Sequence, residues 1–223
     1  MIVSQSDEVA ENAFAGLALK SFDLEKLCPT GWQDAIATCC MYFGAERRLD
    51  GSSSTSREPQ LNGLWTPPIF RLVNGHDVAQ QLPWLVDLYQ KEILNLARIH
   101  YGHVSCSTDP RAGVNINMQG SGYRYEWHVD SNPLTAVLFA TSHDEVDGGT
   151  LVFRPDTGDR VTSRTADHEL RIQPVSGKLV FFRAQRYAHQ VEEFSSKYRI
   201  SVPMNFFSSE APQERGDVDE YLY

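Results

Sequence analysis

The sequence predicts a mainly β domain, a sandwich or barrel, with helices in front of it. Two observations carry this. Eight short strand-like runs lie between residues 114 and 207 with turn residues between them. The apolar stripe of a helix is confined to the chain's first half.

In chain order, Gly31 to Phe43 (GWQDAIATCCMYF) is a short helix. His76 to His100 is a longer one, because Val78, Leu82, Leu85, Leu88, Ile93, Leu96 and Ile99 recur at helical steps. Pro83 belongs in a first turn or at a restart, since deeper in a helix it would remove a hydrogen bond. Between them, Asp50 to Pro68 (GSSSTS, Arg-Glu-Pro, Asn-Gly, Pro-Pro) is a loop by composition. A loop this long is either a lid or a disordered insert.

Then come the strands. VNINM (114–118) alternates, YRYEWHV (123–129) follows a glycine turn, and LTAVLFA (134–140) is apolar throughout, as a strand covered on both faces would be. GTLVFRP (149–155), ELRIQPV (169–175), KLVFFR (178–183), HQVEEF (189–194) and RISVPMNFF (199–207) complete the set.

The composition fits one domain over 1–223: a mainly helical part (1–111), a β core (112–207) and an acidic tail (208–223). At 41% hydrophobic and 22% charged, the chain can bury a sizeable core. Its formal charge of -9 argues against a nucleic-acid partner. No apolar run reaches the roughly 20 residues of a membrane span, so no membrane partner is expected. The start, MIVSQSDEVAENAF, lacks the order of a secretory signal. Cys28, Cys39, Cys40 and Cys106 show no CxxC spacing, which suits reduced thiols in a cytoplasmic protein.

The most informative residues are His128, Asp130 and His189. In an extended segment His128 and Asp130 project to one side while Val129 points away. His189, 59 positions after Asp130, must arrive from another strand. Two imidazoles and one carboxylate on one face form the donor set for Fe(II) with open coordination positions. Rival sets are weaker: His100, His103 and Cys106 sit where nothing else converges, His143 with Asp144 and Glu145 is in a polar loop, and His76 and His168 have no nameable partners.

Ten positions past His189, Arg199 shares a strand face with Ser201, Pro203 and Asn205. Ile200, Val202, Met204 and Phe206 take the other face, against helices. The polar face is odd for a barrel interior unless it grips something. Arg199 offers a planar fork for a carboxylate and Ser201 a hydroxyl beside it; lysine would keep the charge and lose the fork.

YEWHVDSNPLTAVLF, DGGTLVF, PVSGKLVFF, AHQV and YRISVPMNFF occur in this order, and with them residues 112–207 resemble the 2-oxoglutarate/Fe(II)-dependent dioxygenases. The resemblance spans a little under half of the chain. It implies a double-stranded β-helix (jelly roll, cupin-like), Fe(II) on His128, Asp130 and His189, and 2-oxoglutarate anchored by Arg199 and Ser201. The implied activity uses O2 to oxidise a C–H bond of a small molecule, releasing succinate and CO2, with a specialised-metabolism role. Halogenating relatives replace the carboxylate, so Asp130 argues against halogenation. Many relatives carry a tyrosine ahead of the glycine turn. This chain has Asn117, Met118 and Gln119 there, and Asn117 is the candidate for a co-substrate hydrogen bond.

For the substrate, Arg124 and Glu126 share parity with His128. Arg183, with Gln185 and Arg186, is polar at a barrel rim, and Trp65 is the candidate lid aromatic. Tyr125 and Trp127 take the opposite parity and read as core. Two alternatives stand beside the small-molecule oxygenase, a peptide or protein side-chain (prolyl-type) hydroxylase and a non-catalytic cupin-like module. A monomer or homodimer is expected.

Overall fold

Every position from Leu134 to Phe139 is buried, because this strand lies in a sheet with packing on both sides. The computed structural model describes residues 20–48, 53–58, 69–158 and 169–213. Trp65, His168, most of the 50–68 loop and most of the acidic tail lie outside these residues.

In chain order the elements are β1 (Lys20–Asp23), α1 (Trp32–Phe43), β2 (Ala45–Arg48), β3 (Ile69–Val73), α2 (Gly75–Gln81), α3 (Pro83–Leu88), a π turn (Tyr89–Ile93), α4 (Leu94–Tyr101), β4 (Val104–Cys106) and α5 (Pro110–Gly113). The β core follows: β5 (Ile116–Gly120), β6 (Tyr125–His128), β7 (Leu134–Phe139), β8 (Leu151–Pro155), β9 (Leu170–Ile172), β10 (Lys178–Phe182), β11 (Tyr187–Val191) and β12 (Tyr198–Ser208). All eight expected strands form. The long helix expected over 76–100 is divided: Asn74 caps α2 through its side chain, and Pro83 restarts the chain at the first position of α3. The first half is less purely helical than expected, since it also supplies β1, β2, β3 and β4.

The strands form two antiparallel sheets, as in a jelly roll. The larger runs β1-β10-β7-β12-β5-β3-β2, with β4 also on β12; the smaller runs β6-β11-β8-β9. The period of two divides side chains between two cores. From β7, Leu134, Ala136 and Leu138 meet Ile200, Val202, Met204 and Phe206 of β12 and Ile36, Leu85 and Ile93 of the helices. Val137 and Phe139 face the other way, packing with Leu151, Phe153, Phe182 and Val191. Each Val, Leu, Ile, Met or Phe among them contributes roughly 1.5–3 kcal/mol of burial. Tyr89, in the π turn, donates to the Asn205 carbonyl (2.6 Å) and accepts from the Ser107 N–H (2.9 Å), pinning the helical layer to β12.

In the loop, residues 53–58 run along the free edge of β6. Ser56 bridges to His128, the Arg57 N–H donates to the Trp127 carbonyl (2.7 Å), and the Val129 N–H donates to the Thr55 carbonyl (3.0 Å). Two ion pairs fasten this strap. Arg57 holds Asp156 at 2.7 and 3.0 Å, and Arg124 holds Glu58 at 2.5 and 2.7 Å. An edge strand left open would be a template for further pairing, and the strap covers it. Among the described residues no helix is long and apolar enough to cross a membrane.

Candidate metal and dicarboxylate site

β6 and β11 set His128 directly opposite His189, with ring centroids 4.1 Å apart. Asp130 follows β6 in a turn whose backbone is fixed by its own N–H donating to the Ala184 carbonyl. Its Oδ1 lies 3.5 Å from Nε2 of each histidine. The donor atoms of the three residues fall within 4.8 Å of one another, and among the described residues this is the group that could hold a metal ion.

The tautomers suit that role. Nδ1 of His128 lies 2.8 Å from the Glu126 carbonyl and Nδ1 of His189 lies 3.2 Å from the Tyr187 carbonyl. A carbonyl only accepts, so Nδ1 carries the proton and Nε2 turns its lone pair inward. Burial alone would raise the pKa of Asp130, but the imidazoles and the Thr135 hydroxyl overcome it and hold the carboxyl at about 2. Burial, then repulsion from His128, pushes His189 down to about 4. The set is an anion beside inward-facing lone pairs, which fits a divalent cation.

At the other end lies Arg199, 1% exposed. Its Nε donates to the Gly149 carbonyl (2.9 Å), and Nη1 donates to Ser201 Oγ (3.2 Å) and Gln119 Oε1 (3.4 Å). Among the described residues no carboxylate pairs with it. Desolvation pushes its pKa down to about 10. An unpaired charge so deeply buried is costly, and a ligand carboxylate would relieve that cost. Asn117 Oδ1 and Gln119 Nε2 are likewise buried without a hydrogen-bond partner among the described residues. Ser201 accepts from Arg199, so its own proton is free for a ligand. These observations fit a dicarboxylate between the guanidinium and a metal.

One cavity, about 980 Å³ out to its open mouth, joins the two ends. It is lined by all three candidate ligands and by Arg199, Ser201, Asn117 and Glu126. The structure does not bring Arg124 or Arg183 to its wall. Arg124 is engaged with Glu58, and Arg183 lies over the Tyr101 ring at 5.6 Å. Gln185 donates to the Ser131 carbonyl at the rim. Tyr125, expected in the core, instead lines the cavity with Phe70. The reason is a bulge: His128 pairs with His189 but Tyr125 with Val191, three steps on β6 against two on β11. Trp127 is buried as expected, with Arg154 over its ring at 4.4 Å.

Sequence reasoning missed Gln119 as a lining residue, and missed Thr135, which donates to Asp130 Oδ2 (2.5 Å). A signal for Thr135 existed, since it is the polar residue of the run LTAVLF.

The model of the 2OG-Fe(II) oxygenase superfamily matches residues 114–207. No curated protein matches the chain. Among solved structures, the non-heme alpha ketoglutarate dependent carbocyclase SnoK from nogalamycin biosynthesis aligns with TM-score 0.62 and 13% identity, covering 100% of this chain and 93% of that one. The prolyl hydroxylase from Trichoplax adhaerens, in complex with a hypoxia inducible factor peptide fragment, gives 0.60 and 14%, covering 89% and 87%. HygX from Streptomyces hygroscopicus, with nickel, 2-oxoglutarate and hygromycin B bound, gives 0.59 and 7%, covering 91% and 87%. At these identities the likeness is one of fold.

Proposed function

We propose, from the match of residues 114–207 to the 2OG-Fe(II) oxygenase superfamily model, that the chain is a 2-oxoglutarate-dependent oxidoreductase that oxidises a C–H bond of a small molecule in specialised metabolism, in the cytoplasm. Hydroxylation is the default outcome. In this reading His128, Asp130 and His189 hold the iron, Arg199 and Ser201 hold the far carboxylate of 2-oxoglutarate, and Asn117 adds a hydrogen bond to the co-substrate. Fe(II) with 2-oxoglutarate and O2 supplies the oxidising power when bound, releasing succinate and CO2.

The chain's own part is to hold and to shield. The two Nδ1–carbonyl hydrogen bonds keep both imidazoles aimed inward. Arg199 and Ser201 set how deep the diacid sits, and the Phe70, Leu72, Leu151 and Phe182 walls keep water from the reacting end. The single observation that carries this reading is a metal-capable trio and a buried guanidinium without an acid partner among the described residues, facing one cavity.

Arg199 is the one arginine or lysine among the described lining residues. With it committed to the co-substrate, an anionic substrate group would find no buried partner. That favours a neutral or cationic substrate near the metal. The carbocyclase and the hygromycin B complex support a small-molecule substrate. The prolyl hydroxylase complex keeps a peptide substrate as the second reading.

Anaerobic Fe(II) with 2-oxoglutarate should give a weak visible charge-transfer band, absent in His189→Ala. A band that persists in that variant refutes the ligand assignment. Succinate release stimulated by fractions of a metabolite extract, and not by proline-containing peptides, separates the two substrate readings.

A further inference from the structure

The carboxylate of Asp130 is asymmetric. Oδ1 is equidistant from the two histidines, at 3.5 Å from each Nε2, while Oδ2 accepts from Thr135 Oγ1 at 2.5 Å. The proton of that hydrogen bond has no alternative direction. Asn132 Nδ2 donates into the same Thr135 oxygen (2.9 Å), so the one hydroxyl proton is directed at Asp130. Asn132 is itself fixed, because Nδ2 also donates to the Leu134 carbonyl (2.6 Å), and a reversed amide would set oxygen against oxygen. Both side chains are buried, Asn132 at 3% and Thr135 at 2% exposure. Thr135 is held in the middle of the large sheet, opposite Phe182 on one side and Asn205 on the other. The relay therefore rests on rigid backbone.

We propose that Thr135, oriented by Asn132, is a positioning residue that occupies one oxygen of Asp130 so that the carboxylate presents a single oxygen to the metal. This rests on the reading of Asp130 as a ligand. Held by one oxygen from Asp130 and one nitrogen from each histidine, a metal would keep more room for other ligands than a bidentate carboxylate would leave it. Thr135 would thus preserve room for a two-point keto acid together with O2, and would set the angle at which Oδ1 meets the metal. Partners of metal ligands that act this way typically cost 10–100-fold in metal affinity when removed.

The test uses the full chain and Co(II) as the probe metal, titrated anaerobically into metal-free protein and followed by its visible absorption. Thr135→Val keeps shape and loses the hydroxyl; Thr135→Ser keeps the hydroxyl and loses a methyl; Thr135→Ala loses both. Val and Ala variants are expected to bind Co(II) about 10–100-fold more weakly, with Ser close to wild type. They should also show a weaker Fe(II)–2-oxoglutarate band at saturating iron. Val matching wild type, or Ala and Ser weakened alike, would mean that Thr135 only packs, and would overturn the proposal. Should Val fail to fold, the Ala and Ser pair still decides, because the two differ by the hydroxyl alone. Asp130→Ala is the control. If it leaves Co(II) affinity unchanged, the ligand reading fails. If it weakens binding while the Thr135 variants do not, the ligand reading stands and the positioning role falls.

Discussion

Tyr125 and His128 pack with ring centroids 4.7 Å apart and planes tilted by 46° on the same side of β6, although strict alternation would put residues three apart on opposite faces. The β6–β11 bulge brings both rings to the cavity. Tyr125 holds neither metal nor diacid in the proposed arrangement. Tyr125→Ala should therefore keep the Fe(II)–2-oxoglutarate band and lose about 2- to 10-fold in kcat/KM for a substrate found by screening, the scale of one aromatic contact. Loss of the band would instead give Tyr125 a part in holding His128.

The glycine pair of the DGGTLVF run explains itself in the same way. Gly149 has φ +72°, its carbonyl accepts from Arg199, and a Cβ there would lie 3.3 Å from Arg199 Cδ. Gly149→Ala should fold, at a cost of about 1–2 kcal/mol for the left-handed backbone, and should weaken 2-oxoglutarate binding measured by titrating the charge-transfer band. Gly148→Ala should unfold at a lower temperature still, since its Cβ would meet the Glu193 carbonyl at 2.3 Å. Equal melting temperatures for the two variants would contradict this ranking.

The strap along β6 depends on Arg124 and Glu58. Glu58 accepts both arms of Arg124 and also the Trp127 N–H (2.9 Å). Arg124→Ala leaves that carboxylate largely buried without its cation and should destabilise the protein by about 3 kcal/mol, at the low end for a broken buried pair. Urea denaturation of the variant checks this, and an unchanged midpoint would show the strap to be held without the pair.

His143 gives a pH signature. Burial, and then the Arg199 charge, push its pKa below the ordinary histidine value, with Asp147 and Asp144 acting the other way. Its unfolded value is about 6.5. Between the lowered folded pKa and that value the unfolded chain binds more protons, so this contribution to stability is full above the window and is lost as pH falls through it. His143→Gln should flatten the fall in Tm as pH drops below about 6.5; parallel curves for wild type and variant would rule the contribution out.

How much of this was legible from residues alone differs along the chain. The strands from β5 to β12 announce themselves because each buries one or both faces, and period-two or unbroken apolar runs report that burial. The strand Ala45–Arg48 does not, since AERR is mostly exposed and owes its shape to pairing with β3 rather than to its own composition. That His128, Asp130, His189 and Arg199 face one cavity was legible, because residues of these types at compatible parity project to one side of their strands. Tyr125 was not, because a bulge leaves no mark in the parity of a sequence. Arg124 and Arg183 were placed by parity and position, yet their charges are taken up by Glu58 and by the Tyr101 ring.

Thr55, Phe70 and Leu72 line the cavity, although all three precede the segment 114–207 that carries the family's pattern. Excising that segment would bare the outer edge of β6 and strip β3 from its neighbour β5. The recognisable portion is thus shorter than the stretch of polypeptide that walls the chamber.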